Sequence, residues 1–318
     1  MPISTPTAPT SGSPRTDGEV LAAAARRASA AWSVWHTTPW RWRIAGTTLE
    51  LLADRDRRLA VADPDARLLT VSCGVALHHA RVAVTGAGRA VSVRRFPDPL
   101  RPDLLAVLTV TGRREPSTAD RRRDAAIGID TWHHDHEHHA LPAAALERLR
   151  AAAATGGAFL RPLLGEQVAV LGVAVAEAAA LRLADTAYRA EHARWSVPRR
   201  RPGQTVPGAT AEPAGAEPGP RVAPGDGTDS DAVYAVLCVD TDSRAAWLRG
   251  GEALSAVLLD AAVDGVCTAV MTDVVEMPAP RDLVRDLLGG VGEPLLALRL
   301  CGTGAASTAG LTSRAVRG

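Results

Sequence analysis

The sequence predicts an α+β fold built from two related halves within one chain. Three observations carry this. Ala-rich stretches dominate the 318 residues, and alanine is the strongest helix former. Short segments of alternating character, such as Thr48 to Ala53, interrupt them with strand periodicity. A short repeat also occurs: Gly74-Val75-Ala76-Leu77 is echoed by Gly251-Glu252-Ala253-Leu254, and Gly88 and Gly265 each follow fourteen residues after the leading glycine. Paired aspartates precede both copies, Asp54 and Asp56 in one and Asp240 and Asp242 in the other. A duplicated strand–helix–strand unit implies a pseudo-two-fold inside the chain. The cleft between two such halves is a usual place for a ligand.

The elements follow in order. Met1 to Gly18 is rich in Ser, Thr, Pro and Gly and lacks the apolar stretch of a secretory signal, so it reads as a disordered leader. Helix is expected from Glu19 to about Ala31, a turn at Thr37-Thr38-Pro39, a strand over Thr48 to Ala53, and a helix over Val71 to Val84. Ala90 to Arg95 and Leu104 to Thr111 read as strands. Arg121 to His139 reads as a polar, charged connection. Pro142 to Ala154 starts with a helix-initiating proline. Val168 to Arg194 is one long helix or two shorter ones, and its apolar part, Val168 to Leu181, reads as a buried helix too short for a bilayer. Residues 198–231 are Pro- and Gly-rich and read as a flexible insertion, with a lid over a pocket as the other possibility. Strand Val233 to Val239, helix Ala245 to Ala262, helix Pro280 to Leu288 and strand Pro294 to Leu300 complete the chain. The division is a first half over 19–120 and a second over 121–318.

Charge excludes some classes of partner. The chain has 36 basic residues, all arginine, against 35 acidic ones, and this balance gives no reason to expect nucleic acid or an acidic surface. No membrane segment is expected. Cys73, Cys238, Cys267 and Cys301 are far apart in apolar surroundings, the pattern of buried, reduced thiols in a cytoplasmic protein.

Three segments carry a resemblance. The first is Ser33-Val34-Trp35-His36-Thr37-Thr38-Pro39-Trp40-Arg41-Trp42. The second runs from Leu51-Leu52-Ala53-Asp54-Arg55-Asp56-Arg57 through Asp63-Pro64-Asp65 to Ser72-Cys73-Gly74-Val75-Ala76-Leu77-His78-His79. The third is Trp247-Leu248-Arg249-Gly250-Gly251-Glu252-Ala253-Leu254, with Glu276, Pro278 and Arg281 beyond it. Together, in this order, they resemble the Acg-like branch of the nitroreductase family. The resemblance implies a nitroreductase-like α+β fold in which two fused half-domains mimic the family dimer around bound FMN. It implies hydride transfer from NAD(P)H to a small electron-poor acceptor, with the flavin and no side chain carrying the chemistry. Ser33, His36, Thr38, Pro39 and Trp40 would meet the flavin from one side, and Gly265, Val266 and Arg314 from the other. The protein would be a monomer with an internal pseudo-dimer, or a homodimer.

The chain departs from the family pattern at several of these positions. His36 stands where the family has Asn, and Thr38 where it has Gln. The run Ala126 to Asp135 resembles a family segment rich in Arg, but Asp130, His133 and His134 replace its charged residues, and Arg121, Arg122 and Arg123 are the nearby cations. Near the C-terminus Arg314 alone matches the family's Arg cluster. A flavin-sequestering or flavin-free pseudoenzyme on the same fold is therefore an alternative. A second alternative is metal binding through His133 to His139, where His134 and His138 would share one helix face. His78 and His79, on an apolar helix, read as core or interface histidines.

Overall fold

The computed structural model describes residues 15–129, 138–196 and 231–303. The chain begins with α1 (Asp17–Arg27), which Thr16 and Glu19 start with a reciprocal capping box. The helix therefore opens inside the stretch expected to be leader. A hairpin, β1 (Trp40–Ala45) and β2 (Thr48–Ala53), follows. Next come the long helix α2 (Arg67–Gly86), β3 (Arg89–Arg95) and β4 (Leu104–Arg113). Their sheet has the order β1-β2-β4-β3, antiparallel throughout. Strand β2 buries Leu49, Leu51 and Ala53 and turns Thr48, Glu50 and Leu52 outward, as its alternation predicts.

Helix α3 (Thr118–Ala126) begins just before the segment expected to be a connection and runs into it as far as Ala126. Ser117 caps the Asp120 amide and Asp120 caps Ser117 in return, so a local motif begins a helix that apolar periodicity does not announce. The two-residue strand β5 (His138–His139) leads to α4 (Ala143–Thr155) and β6 (Phe159–Pro162). The Val168 to Arg194 segment is two helices, α5 (Glu166–Ala184) and α6 (Thr186–Ser196). Asp185 breaks them with an extended backbone, and its carboxylate accepts the amides of Ala187 at 2.8 Å and Tyr188 at 3.0 Å. After β7 (Val233–Val239) come α7 (Arg244–Asp264), β8 (Val266–Met271), α8 (Asp273–Glu276), α9 (Pro278–Leu287) and β9 (Glu293–Thr303). The second sheet runs β6-β7-β9-β8, with β5 pairing the end of β9 at Gly302 and Thr303 on the side opposite β8, beyond the end of β7.

The two sheets thus repeat one order. Helix, two strands, helix, two strands gives β1-β2-β4-β3 in the first and β6-β7-β9-β8 in the second. The second carries α5 and α6 between β6 and β7, and α8 and α9 between β8 and β9. Helices α2 and α7 pack against each other at the centre, where Gly74 and Gly251 meet. The main core gathers around them, with Leu51, Leu77, Leu248, Leu254 and Leu298 fully buried. A second core, with Val34, Leu59, Leu171, Tyr188, Val275 and Val284, joins α5, α6, α8 and α9 to loops of the first sheet.

The expectation of a buried helix over Val168 to Leu181 is corrected. Both α2 and α5 are long and apolar enough to cross a membrane, but α2 is 89% buried within the protein and α5 only 22%. An apolar run records composition, not what covers it.

Candidate functional site

The segment from Ser33 to Trp40 forms a tight, strained turn. Trp35, His36 and Thr38 all have positive φ, at 46°, 53° and 44°. Side chains with a Cβ rarely adopt this region, and the cost is of order 1–3 kcal/mol each. The surroundings hold it in place. The Ser33 hydroxyl accepts the Thr38 amide at 3.0 Å, and the Ser33 carbonyl accepts the His36 amide at 3.0 Å. The Val34 amide donates to Ser72 Oγ of α2 at 3.1 Å. Arg57 donates through one nitrogen to the Thr37 carbonyl at 2.9 Å and to Thr38 Oγ1 at 2.8 Å. The Pro39 carbonyl accepts the Asp54 amide at 3.0 Å and the Cys73 thiol at 3.3 Å. Burial pushes that thiol's pKa well up, so it stays protonated and inert.

The turn meets α6 and α8 through Trp35. Its indole donates to Glu276 Oε1 at 3.2 Å and packs edge-on against Tyr188 at 5.3 Å and His192 at 5.0 Å. Glu276 also accepts the hydroxyls of Tyr188 and of Thr272, the latter at 2.7 Å. Desolvation raises the Glu276 pKa, while the bonds from Tyr188 and Thr272 and the charge of Arg182 oppose it. The Tyr188 hydroxyl is also pushed up, mainly by burial and then by the Glu276 charge.

Helix α6 is fastened a second time beside the turn. Glu191, 2% exposed, accepts the consecutive amides of Ala60 at 2.6 Å, Val61 at 3.0 Å and Ala62 at 2.9 Å. The loop it grips follows Arg57, so α6, Arg57 and the turn form one connected assembly.

Known proteins resemble this chain along most of its length. "Putative NAD(P)H nitroreductase Rv3131" of Mycobacterium tuberculosis is 35% identical over 308 residues, covering 89% of this chain and 85% of the relative. The acg protein of the same organism, named in the same way, is 30% identical over 301 residues, covering 89% and 88%. The uncharacterized Rv3127 is 31% identical over 296 residues, covering 84% and 82%. The chain belongs to the nitroreductase family, in its Acg-like branch. No family model matches it.

With the family known, each expected site residue can be placed. His36 is exposed and Thr38 half-buried on the turn, while Ser33 and Pro39 lie beneath as its supports. Trp40 does not line an open site: it is 8% exposed, begins β1 and packs into the main core. Gly265 and Val266 are also displaced from this turn. Gly265 caps the C-terminus of α7, and Val266 is a core residue of β8 paired with Gly302. The turn contacts α2 at Ser72 and Cys73, beside Gly74 and its α7 neighbour Gly251. From Gly251 to Gly265 is fourteen helical residues, about 21 Å along the axis. Arg314 and His134 lie outside the described residues, as does the side chain of His138. Among the described residues no group of three or more His, Cys, Asp or Glu side chains is placed to hold a metal.

The other cations divide by their partners. Arg123 is committed to Asp260 in a bidentate pair at 2.6 and 2.8 Å, and Arg121 pairs with Glu115 at 2.9 Å. Neither is held ready for a phosphate. Arg57 is the cation the sequence left unmarked. It is one of three arginines in Arg55-Asp56-Arg57-Arg58, and spacing does not say which one folds back onto the turn.

His78 and His79 lie at the α2–α7 interface, as expected. Both Nδ1 atoms reach Ser255 Oγ of α7, at 2.7 and 2.8 Å. Burial depresses both imidazoles, that of His79 to about 4, so both are neutral.

Proposed function

We propose that the chain is an FMN-dependent oxidoreductase of the nitroreductase type, in which two fused halves, 19–120 and 121–318, stand in for the two subunits of the family dimer. The repeated strand order and the meeting of Gly74 with Gly251 support the second part. The observation that carries the first is the strained turn. Three non-glycine residues with positive φ fall within four positions, held by Ser33, Arg57 and Glu276 where the two halves meet. Backbone strain that the surroundings over-determine collects at ligand sites.

The donor set fits the polar edge of a flavin. The His36 imidazole and the Thr38 hydroxyl are presented on the turn, and Arg57 brings a fixed positive charge against Thr38. Bound FMN would supply the two-electron chemistry, with NAD(P)H as hydride donor and a small electron-poor molecule as acceptor. The chain's own work is positioning. Arg57 fixes the Thr38 rotamer, Ser33 fixes the backbone, and the Trp35–Glu276 bond keeps the second half against the turn. The four buried thiols suit a reduced, cytoplasmic setting.

The test is the visible spectrum of freshly purified protein, followed by identification of the flavin released on heating. Near-stoichiometric FMN and NAD(P)H oxidation with nitro or quinone acceptors are expected. A colourless protein that excess FMN cannot reconstitute would overturn the reading.

A further inference from the structure

Strands β8 and β9 set two cysteines face to face. Cys267 is the directly opposed register partner of Cys301. Opposed residues of antiparallel strands project to the same face of the sheet. Their Cα atoms stand about 4.5 or 5.5 Å apart, according to the type of pair, and a disulfide spans either. The Cys301 sulfur is turned toward β8. It lies 3.9 Å from the Cys267 carbonyl oxygen, and the Arg299 guanidinium donates to it at 3.3 Å. The Cys267 side chain, as hydrogen-bond partner, is the first cause of a raised Cys301 pKa, with burial second, so the two thiols interact directly. The other two cysteines are placed differently. Cys73 donates to the Pro39 carbonyl from α2, and Cys238 stands opposite Phe159 and Pro294.

We propose that Cys267 and Cys301 form a redox modification site, at which a hydroperoxide converts the dithiol to an intrachain disulfide. Strand β8 is the way in. Among the described residues it pairs with β9 alone, and Cys267 is 4% exposed where Cys301 is fully buried. A strand bonded on one side opens locally more readily than one bonded on both. The Cys267 sulfur attacks the terminal oxygen of the hydroperoxide and the O–O bond breaks. The thiol proton passes to the leaving alcohol, or to water when the oxidant is hydrogen peroxide, and Cys267 becomes a sulfenic acid. The Cys301 sulfur then displaces the hydroxyl from Cys267, and the Cys301 proton leaves with that hydroxyl as water. Two thiols are oxidised, one peroxide bond is reduced, and no further reactant is needed. Arg299 favours the second step, since its charge stabilises the thiolate that forms on Cys301 as the proton departs. Opposition across the strands holds the attacking sulfur in place, which replaces an encounter between separate thiols. The new bond closes a ring on residues 267–301. That ring carries α8 and α9, with Glu276, the partner of Trp35. The chemistry needs no bound flavin.

Full-length protein, fully reduced at the start, is exposed to a small excess of hydrogen peroxide, quenched, denatured and titrated for thiols. The count is expected to fall from four to two. Non-reducing peptide mapping should show Cys267 joined to Cys301, and dithiothreitol should restore all four thiols. Cys73 and Cys238 should react roughly ten-fold more slowly. The oxidised protein should melt several degrees higher than the reduced one, because the ring constrains the unfolded chain. Cys301→Ser and Cys301→Ala should each remove the linked peptide and the peroxide-dependent shift in melting temperature. The peptide map comes from wild type and stands even if a variant does not fold. Three results overturn the proposal. One is a full thiol count under peroxide that oxidises free glutathione over the same time. Another is loss of all four thiols at one rate, which is the reaction of unfolded chains. The third is a disulfide that joins Cys267 or Cys301 to another chain or to a different cysteine.

Discussion

Gly74 and Gly251 approach so closely that a methyl group on either would stand 2.9 Å from the other's Cα. The obstruction is reciprocal. A Cβ on Gly251 would overlap the Val71 carbonyl oxygen, and one on Gly74 the Leu248 carbonyl oxygen. Val71 precedes Gly74 by three residues, as Leu248 precedes Gly251. The central helix pair therefore needs glycine at both points, and the obstacles are backbone atoms that cannot rotate away.

Replacing either glycine with alanine should accordingly be severe. Gly251→Ala and Gly74→Ala are each expected to cost roughly 3 kcal/mol or more, at the upper end of overpacking effects. Urea denaturation measures this. A loss below about 1 kcal/mol would mean that α2 and α7 can separate without penalty.

The buried histidines predict acid sensitivity. The folded pKa of His79 is depressed from 6.5 to about 4, so as pH falls the unfolded chain takes up the proton first. The contribution is intact above 6.5 and is lost progressively as pH falls toward 4, on the order of 3 kcal/mol in all. His78 acts in the same direction. Denaturation midpoints measured down to pH 5 should fall steadily, and His79→Gln should flatten the slope. A level profile in wild type would refute the account.

Glu191 should hold α6 in place. Removing its buried carboxylate leaves three consecutive amides, of which that of Ala62 is buried, without this acceptor, so Glu191→Ala is expected to cost about 1–2 kcal/mol. The sensitive readout is hydrogen exchange at Ala60, Val61 and Ala62, which should accelerate well beyond the global change. Glu191→Gln, which keeps an acceptor oxygen, should fall between. Unchanged exchange in the Ala variant would show that the grip is dispensable.

Arg57 tests the proposed flavin site separately from folding. Its side chain is 42% exposed, so Arg57→Ala should cost less than about 1 kcal/mol of stability. It releases Thr38 and the Thr37 carbonyl, however, and the purified variant should carry several-fold less FMN than wild type. Equal flavin content would remove the turn from the binding site.

Much of this protein was determined by its sequence alone. Strand β2 fell on its predicted residues because alternation is a local property. The α2 and α7 helices were legible from apolar composition, and Gly74 and Gly251 were marked by their repeated context. The turn at Thr37 to Pro39 and the family itself were readable for the same reason: each rests on residues adjacent in the chain. Tertiary structure alone decided the rest. It placed Trp35 against Glu276, 241 residues away, and chose Arg57 from among its neighbouring arginines. It put Trp40 and Val266 into the core and separated Gly265 from the turn by the length of a helix. It left the outer face of α5 exposed, although α5 is as long and apolar a helix as the buried α2. Periodicity tells which side chains avoid water. Which surface relieves them of it, and which distant donor meets a given acceptor, depends on how the elements pack, and no local pattern encodes that.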